Sequence, residues 1–326
     1  MTRPKPVRDL PWLRQISSFG PSRIVLTANN FRIFDHLEGR GKTARALSML
    51  LQSDLRATEI LLDSLVAIGL LRKEGVLYRN DPVASRYLIS GKEGYQGDIL
   101  RHYSSLWDNW SGLDRVLKTG KPFRRAHDHA SFILGMHNLA SLKTGKALAA
   151  IPLMGVRKVL DLGGGPGTYS MAFARRGLDV TLMDFPETLA ISRKLIKESG
   201  LQKKIRLLAG DFTTDDLGKG YDLIFISQIF HAYAVKDCLA MLRKCRSALT
   251  PGGRVVVQEF MLDETRTAPV IGALFSINML VNTAAGRSYT TGEISSWLKK
   301  TGFINISTSP LDETVLISGR KKGRSE

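Results

Sequence analysis

The chain has 326 residues, of which 43% are hydrophobic and 24% charged, with two cysteines and no low-complexity tract. That length implies two domains with a sizeable core, and the composition excludes a disordered, collagenous or disulfide-stapled protein. The formal net charge of +17 is spread out, at +5 over residues 1–100, +5 over 101–150 and +7 over 151–326, so no single stretch marks a nucleic-acid partner.

The opening MTRPKPVRDLPWLRQ is basic without a following apolar run, and no apolar run anywhere approaches the ~18 residues of a membrane span. A cytoplasmic protein without a membrane span is expected. Residues 22–38 place Ile24, Leu26, Ala28, Phe31, Phe34 and Leu37 at helical intervals and predict one helix, stopped by Gly39 and Gly41. A second helix follows Thr43 as its N-cap, and a third covers 57–71 with Ile60, Leu61, Leu65, Ile68 and Leu71 on one face. Arg72–Tyr78 reads as a short hairpin around Gly75. Helix, helix and hairpin is the layout of a winged helix, assigned to residues 1–94. A DNA-reading helix needs a basic outer face, yet after Arg56 the third helix offers Thr58, Glu59, Asp63 and Ser64, and acids repel phosphates. The module is therefore read as a dimerisation domain of a homodimer, with no nucleic acid expected. A ligand-sensing regulator is the alternative.

Residues 95–150 predict a helical linker whose Trp107, Trp110, Leu113, Val116 and Leu117 form an aromatic-apolar stripe ending at Gly120-Lys121-Pro122. From 151 to 326 the pattern changes. Strands at 156–163, 178–184, 204–211, 221–228 and 253–260 alternate with helices at 168–176, 186–199 and 235–249, which predicts an α/β domain with a mostly parallel sheet. Ligands of such sheets sit beyond the carboxyl ends of the strands. Cys238 and Cys245, seven apart in one helix, read as small buried side chains, and no metal is expected. The densest basic cluster, Arg320-Lys321-Lys322-Gly323-Arg324, reads as a solvated tail.

The strongest signal is a strand running into Asp161-Leu162-Gly163-Gly164-Gly165-Pro166-Gly167 and then a helix, with four glycines in five positions. Such a loop admits a ligand against the backbone and permits positive φ. Gly163 and Gly165 fit a dinucleotide fingerprint, but its third glycine is Thr168, and no Gly-Lys-Ser/Thr of a P-loop follows. Asp161 would repel a pyrophosphate and attract a cation. Asp184, 23 residues on, ends the next strand, where a carboxylate accepts both hydroxyls of a ribose. Asp211 and Phe212 end the third and offer an acceptor beside a ring, suited to an adenine. Together these residues describe a nucleoside that carries a positive charge and no phosphate.

On these motifs the sequence resembles the class I S-adenosylmethionine-dependent methyltransferases. It is most similar to the small-molecule O-methyltransferases with an N-terminal winged-helix dimerisation domain, such as the plant caffeate and acetylserotonin enzymes and bacterial carotenoid or polyketide ones. The likeness runs from about residue 15 to 318. It implies a Rossmann-like sheet and S-adenosyl-L-methionine as cofactor. It also implies that the loop of Gly163, Gly165 and Gly167 holds the methionine part, Asp184 the ribose, and Asp211 with Phe212 the adenine. Leu249-Thr250-Pro251-Gly252-Gly253 matches the family's turn before a strand at 254–260, and Ser227 falls where plant members have a cofactor-contacting lysine.

Methyl transfer to oxygen is an in-line displacement that needs alignment and removal of the acceptor's proton, for which histidine is the fitting base. His231 lies just past the fourth strand and coincides with the family's catalytic histidine. Glu259, 28 residues on, falls where the family places a glutamate that orients that imidazole. Two positions depart from the family: its His-Asp-Trp is His231-Ala232-Tyr233, and its second supporting glutamate is Ser288. Met136 and Met279 align with the methionines that sandwich an aromatic acceptor in plant relatives, and Trp107 and Phe123 are candidates to complete the apolar pocket. The expected reaction is transfer of a methyl to a hydroxyl of a flat, apolar small molecule (a phenol, quinol or polyketide), with methylation at carbon of a tetrapyrrole or quinone-type ring as the alternative.

Overall fold

The structure, a computed structural model, describes residues 16–125 and 128–323. The opening segment 1–15 and Arg324 of the basic cluster lie outside the described residues. The chain forms two compact units that meet in sequence between Ser104 and Ser105.

The first unit begins with α1 (Phe19–Asn30) and α2 (Ile33–Leu37). The single helix expected over 22–38 is broken here, because Arg32 takes a left-handed φ of +53° and its guanidinium turns onto Asp35 at 3.0 Å. Strand β1 (Lys42–Thr43) leads into α3 (Ala44–Leu51), where the Thr43 hydroxyl accepts the Ala46 N–H as an N-cap. Then come α4 (Leu55–Ala67), capped by Asp54, and the hairpin of β2 (Leu71–Glu74) and β3 (Leu77–Asn80), whose two-residue turn starts at Gly75 with φ +61°. The small sheet has the order β1-β3-β2, and α5 (Pro82–Tyr87) follows. Ile33, Phe34, Leu47, Leu62 and Leu65 form the core of this winged-helix unit. The outer face of α4 leaves Ile60 exposed, and Asp63 is taken up by Lys73 and Tyr78.

The chain passes into the second unit within α6 (Gly97–Trp110), followed by α7 (Leu113–Thr119) and the long α8 (His129–Ala150). Alternation then sets in with β4 (Lys158–Leu162), α9 (Thr168–Arg175), β5 (Asp179–Asp184), α10 (Pro186–Glu198), β6 (Ile205–Ala209), β7 (Tyr221–Ser227), a 3-10 turn (Phe230–Ala232), α11 (Val235–Ala248) and β8 (Leu249–Phe260). The segment Leu249–Gly253, expected as a turn, belongs to β8 and is absorbed as a register shift between Tyr221 and Leu223. Helices α12 (Val270–Asn282) and α13 (Thr291–Lys300) and the antiparallel pair β9 (Phe303–Leu311) and β10 (Thr314–Lys321) complete the domain.

The seven-stranded sheet has the order β6-β5-β4-β7-β8-β10-β9, with the first five parallel. Its central strands are nearly continuous apolar runs, as burial on both faces requires. Residues of α9, α10 and the end of α8 cover one face, and those of α11 and α13 the other. Cys238 and Cys245 are free and buried in the second layer. Chain order reverses between β4 and β7, the position at whose carboxyl edge sheets of this kind bind ligands. Arg320 and Lys321, read as part of a tail, lie in β10 and donate to the carbonyls of Gly252 and Leu249. No helix among the described residues is long and apolar enough to cross a membrane.

Candidate active site

The glycine loop joins β4 to α9. Gly163, Gly165 and Gly167 all have positive φ, at +65°, +53° and +78°. A Cβ on Gly163 would lie 2.5 Å from Ile229 Cδ1, whereas one on Gly165 would meet nothing within 4 Å and would intrude on open space above the loop. Gly163→Ala is therefore expected to weaken binding of S-adenosylhomocysteine about tenfold or more, because a left-handed alanine must also displace Ile229. Unchanged affinity by calorimetry would contradict this.

Asp161 and Asp184 lie against this loop, and Asp211 stands just past β6. Asp161 is 1% exposed, and its Oδ2 accepts the Ser170 hydroxyl at 2.6 Å. Burial pushes its carboxyl up to about 7, the Ser170 bond opposes this, and the nearby Asp184 charge adds to it. Asp184 accepts from the N–H of Gly165 and of Phe185, each at 2.8 Å, and burial raises it as well. Asp211 caps its own turn by accepting from the Thr213 N–H and hydroxyl. The Phe212 ring is buried between Phe185, centroids 5.4 Å apart, and Tyr233, at 6.0 Å. Among the described residues no lysine or arginine pairs with Asp161 or Asp184. Two buried acids with no lysine or arginine partner, one of them raised toward neutral pH by burial, stand beside an open glycine loop and fit a ligand that is cationic and rich in hydroxyl donors better than a phosphate.

The second cluster lies past β7 and β8. His231 Nδ1 is 2.8 Å from Glu259 Oε2, and Glu259 is 3% exposed. The other carboxylate oxygen accepts the Phe230 N–H at 2.8 Å and the His231 N–H at 3.4 Å. This buried acceptor fixes the turn and the ring together and places the Nδ1 proton on the glutamate side. The imidazole meets Phe275 edge to face, centroids 4.8 Å apart, and Phe275 packs on Phe260 at 4.3 Å. Ser288 does not reach this pair: its hydroxyl donates to Gly272 O at 2.7 Å.

The remaining expected residues fall around these clusters. Ser227 ends β7, and its hydroxyl donates to Gln258 Oε1 at 3.2 Å. Met279 is buried on α12, one turn after Phe275, and Met136 is half-buried on α8. The Phe123 N–H donates to Val281 O, two residues from Met279, but its ring packs on Gly112 between the guanidinium groups of Arg115 and Arg125. Trp107 is half-buried on α6.

Several contacts had no counterpart in the sequence reading. His137 Nδ1 lies 2.8 Å from the Thr168 hydroxyl at the head of α9, and His129 Nε2 lies 3.3 Å from that of Thr188. The Tyr169 hydroxyl shares hydrogen bonds with Gln258 and Ser227. The spacing of Phe275 and Met279, four apart in a helical segment, was the one available signal for the aromatic wall beside His231.

A glycine loop and acids at three successive parallel strand ends, next to a histidine–glutamate pair, define a methyltransferase that uses a sulfonium nucleoside. The family descriptions "O-methyltransferase domain" and "O-methyltransferase dimerisation domain" match residues 112–304 and 13–90. The 3-hydroxy-5-methyl-1-naphthoate 3-O-methyltransferase of Streptomyces sahachiroi is 30% identical over 292 residues, covering 85% of this chain and 84% of that protein. The tetracenomycin polyketide synthesis 8-O-methyl transferase TcmO of Streptomyces glaucescens is 30% identical over 327 residues, covering 95% and 96%. PigF, an S-adenosyl-L-methionine-dependent methyl transferase of a Serratia species, was solved with SAH; it superposes at a TM-score of 0.87 with 26% identity, covering 97% of this chain and 100% of that one. The chain belongs to the O-methyltransferase family and is an S-adenosylmethionine-dependent O-methyltransferase with an N-terminal dimerisation domain. Methylation at carbon and ligand-sensing regulation give way to this assignment.

Proposed function

We propose that this enzyme methylates a hydroxyl of a flat aromatic small molecule of phenolic or polyketide type, with His231 as general base and Glu259 as the group that orients it. The observation that carries the reading is the 2.8 Å contact of His231 Nδ1 with the buried Glu259 carboxylate. With Nδ1–H donated to Glu259, the Nε2 lone pair is free to take the acceptor's proton, and the buried carboxylate stabilises the imidazolium that results. Phe260 and Phe275 keep water from the ring and, with Met279, offer flat apolar contacts to an aromatic acceptor. In the same proposal Asp184 accepts the ribose hydroxyls, Asp211 and Phe212 meet the adenine, Ser227 adds a contact near the methionine part, and Asp161, raised to about 7 in the ligand-free chain, gives up its proton to face the cationic cofactor from behind the loop. The bound cofactor supplies an electrophilic methyl on a positively charged sulfur. The roles proposed for Met136, Trp107 and Phe123 in the acceptor pocket, and for residues 1–94 in a homodimer, complete the reading.

Two relatives of similar length act on a hydroxynaphthoate and in tetracenomycin polyketide synthesis, which supports a fused phenolic acceptor. The test is a screen of hydroxynaphthoates, polycyclic phenols and quinols with methyl-labelled cofactor, followed by location of the label. Label on a ring oxygen is expected. Label on carbon, or transfer to none of these classes, would overturn the proposal.

A further inference from the structure

Among the described residues two buried side-chain polar atoms lack a hydrogen-bond partner: Asn80 Oδ1 in the first unit and Gln228 Oε1 in the second. Gln228 is also a non-glycine residue with left-handed backbone, at φ +59°. It stands directly beyond β7, where its N–H extends the β7–β8 ladder by donating to Gln258 O at 2.9 Å. The backbone is held and the side-chain oxygen is not. Its neighbours are residues of the proposed site: Ser227 precedes it, Ile229 leaves no room for a Cβ on Gly163 of the glycine loop, and His231 follows three residues on. A strained glutamine and an unpaired buried amide oxygen both burden the ligand-free chain, and such features gather where a ligand relieves them.

We propose that Gln228 is a specificity-determining residue whose amide oxygen accepts a hydrogen bond from a second acceptor hydroxyl, adjacent to the one that is methylated. The enzyme then selects vicinal or peri dihydroxy aromatics over their monohydroxy counterparts. This rests on the acceptor reading above and narrows it. In that reading the cofactor's ribose hydroxyls and adenine amine already have Asp184 and Asp211, and the methylated hydroxyl gives its proton to His231. Two donors remain without an assigned acceptor, the cofactor's ammonium group and a neighbouring hydroxyl on the acceptor ring; a position three residues before the proposed base favours the hydroxyl, and the S-adenosylhomocysteine affinity of the variants separates the two. The oxygen is covered in the ligand-free chain, and the side-chain torsions of glutamine let it turn toward a bound donor. As a neutral acceptor it adds no charge next to Glu259.

The test uses the full-length protein and its Gln228→Leu and Gln228→Met variants. Matched acceptors are 2,3-dihydroxynaphthalene against 2-naphthol and 1,8-dihydroxynaphthalene against 1-naphthol. Acceptor binding to the protein loaded with S-adenosylhomocysteine, kcat/KM, and the melting temperature of the ligand-free protein are measured. The wild type is expected to favour at least one diol by about tenfold or more, beyond the roughly twofold that two equivalent hydroxyls give. Both variants should bring that ratio down to about twofold, keep S-adenosylhomocysteine affinity, and melt no lower than the wild type because the unpaired atom is gone. A wild type without diol preference, or variants that retain it, would overturn the proposal. Variants that lose S-adenosylhomocysteine affinity would also overturn it, by assigning the oxygen to the cofactor. Diol preference in binding with no turnover of any acceptor would uphold the role of Gln228 while refuting the chemistry proposed for His231.

Discussion

His231→Ala is expected to lower kcat about 10²-fold or more while leaving the affinity for S-adenosylhomocysteine nearly unchanged, measured by single-turnover kinetics and calorimetry. The split arises because the imidazole lies past β7, on the side of Glu259, and not among the acids of the glycine loop. Glu259→Gln should be nearly as damaging, for a different reason. Glu259 Oε1 is committed to the Phe230 N–H, so the glutamine oxygen must stay there and its NH2 must face Nδ1. That amide donates, which forces the ring proton onto Nε2 and removes the lone pair that would take the acceptor's proton. The two variants together distinguish an oriented base from a histidine that only fills space. Near-normal turnover in both would remove the base assignment.

The second large effect concerns Asp161 and pH. Its carboxyl stands at about 7 in the fold against an ordinary 3.8, chiefly through burial. The folded chain therefore holds a proton that the unfolded chain has released. Stability from this group is fully present below about pH 4 and is lost progressively as pH rises toward 7, by about 4 kcal/mol at most. Asp161→Asn removes the ionisation and retains an oxygen for the Ser170 hydroxyl. In scanning calorimetry the variant should melt with the wild type near pH 4 and increasingly above it up to pH 7, with a constant gap beyond. Its affinity for the cationic cofactor should fall relative to its affinity for S-adenosylhomocysteine, whose sulfur is neutral. A melting difference independent of pH would show that the carboxylate is not held in its acid form by the fold.

Much of the second unit was legible because its signals are local. Strands β4 to β7 and helices α9, α10 and α11 are apolar runs and periodic faces bounded by glycine, proline or a cap, and all lie where the sequence put them within a few residues. The loop glycines announced their positive φ, and the acids at the ends of β4 and β5 and just past β6 follow from sheet register. What the sequence left unassigned depends on distant contact. Nothing in the text around Phe275 says that its ring faces His231, 44 residues earlier, and Ser288 could be placed by resemblance only until its bond to Gly272 O was seen. The break at Arg32 escaped because the apolar spacing continues through it; the left-handed residue is fixed by the side-chain bond to Asp35. The unpaired state of Gln228 is likewise a property of its surroundings rather than of its neighbours in sequence.

Arg320 and Lys321 give the basic end of the chain a meaning that its charge alone conceals. Their head groups bond carbonyls on either side of the register shift at the start of β8, at Gly252 and Leu249. Shortening the protein to residue 319 would therefore not trim a loose appendage: it would strip two clasps from the seam between neighbouring strands, on the rim of the sheet opposite the glycine loop.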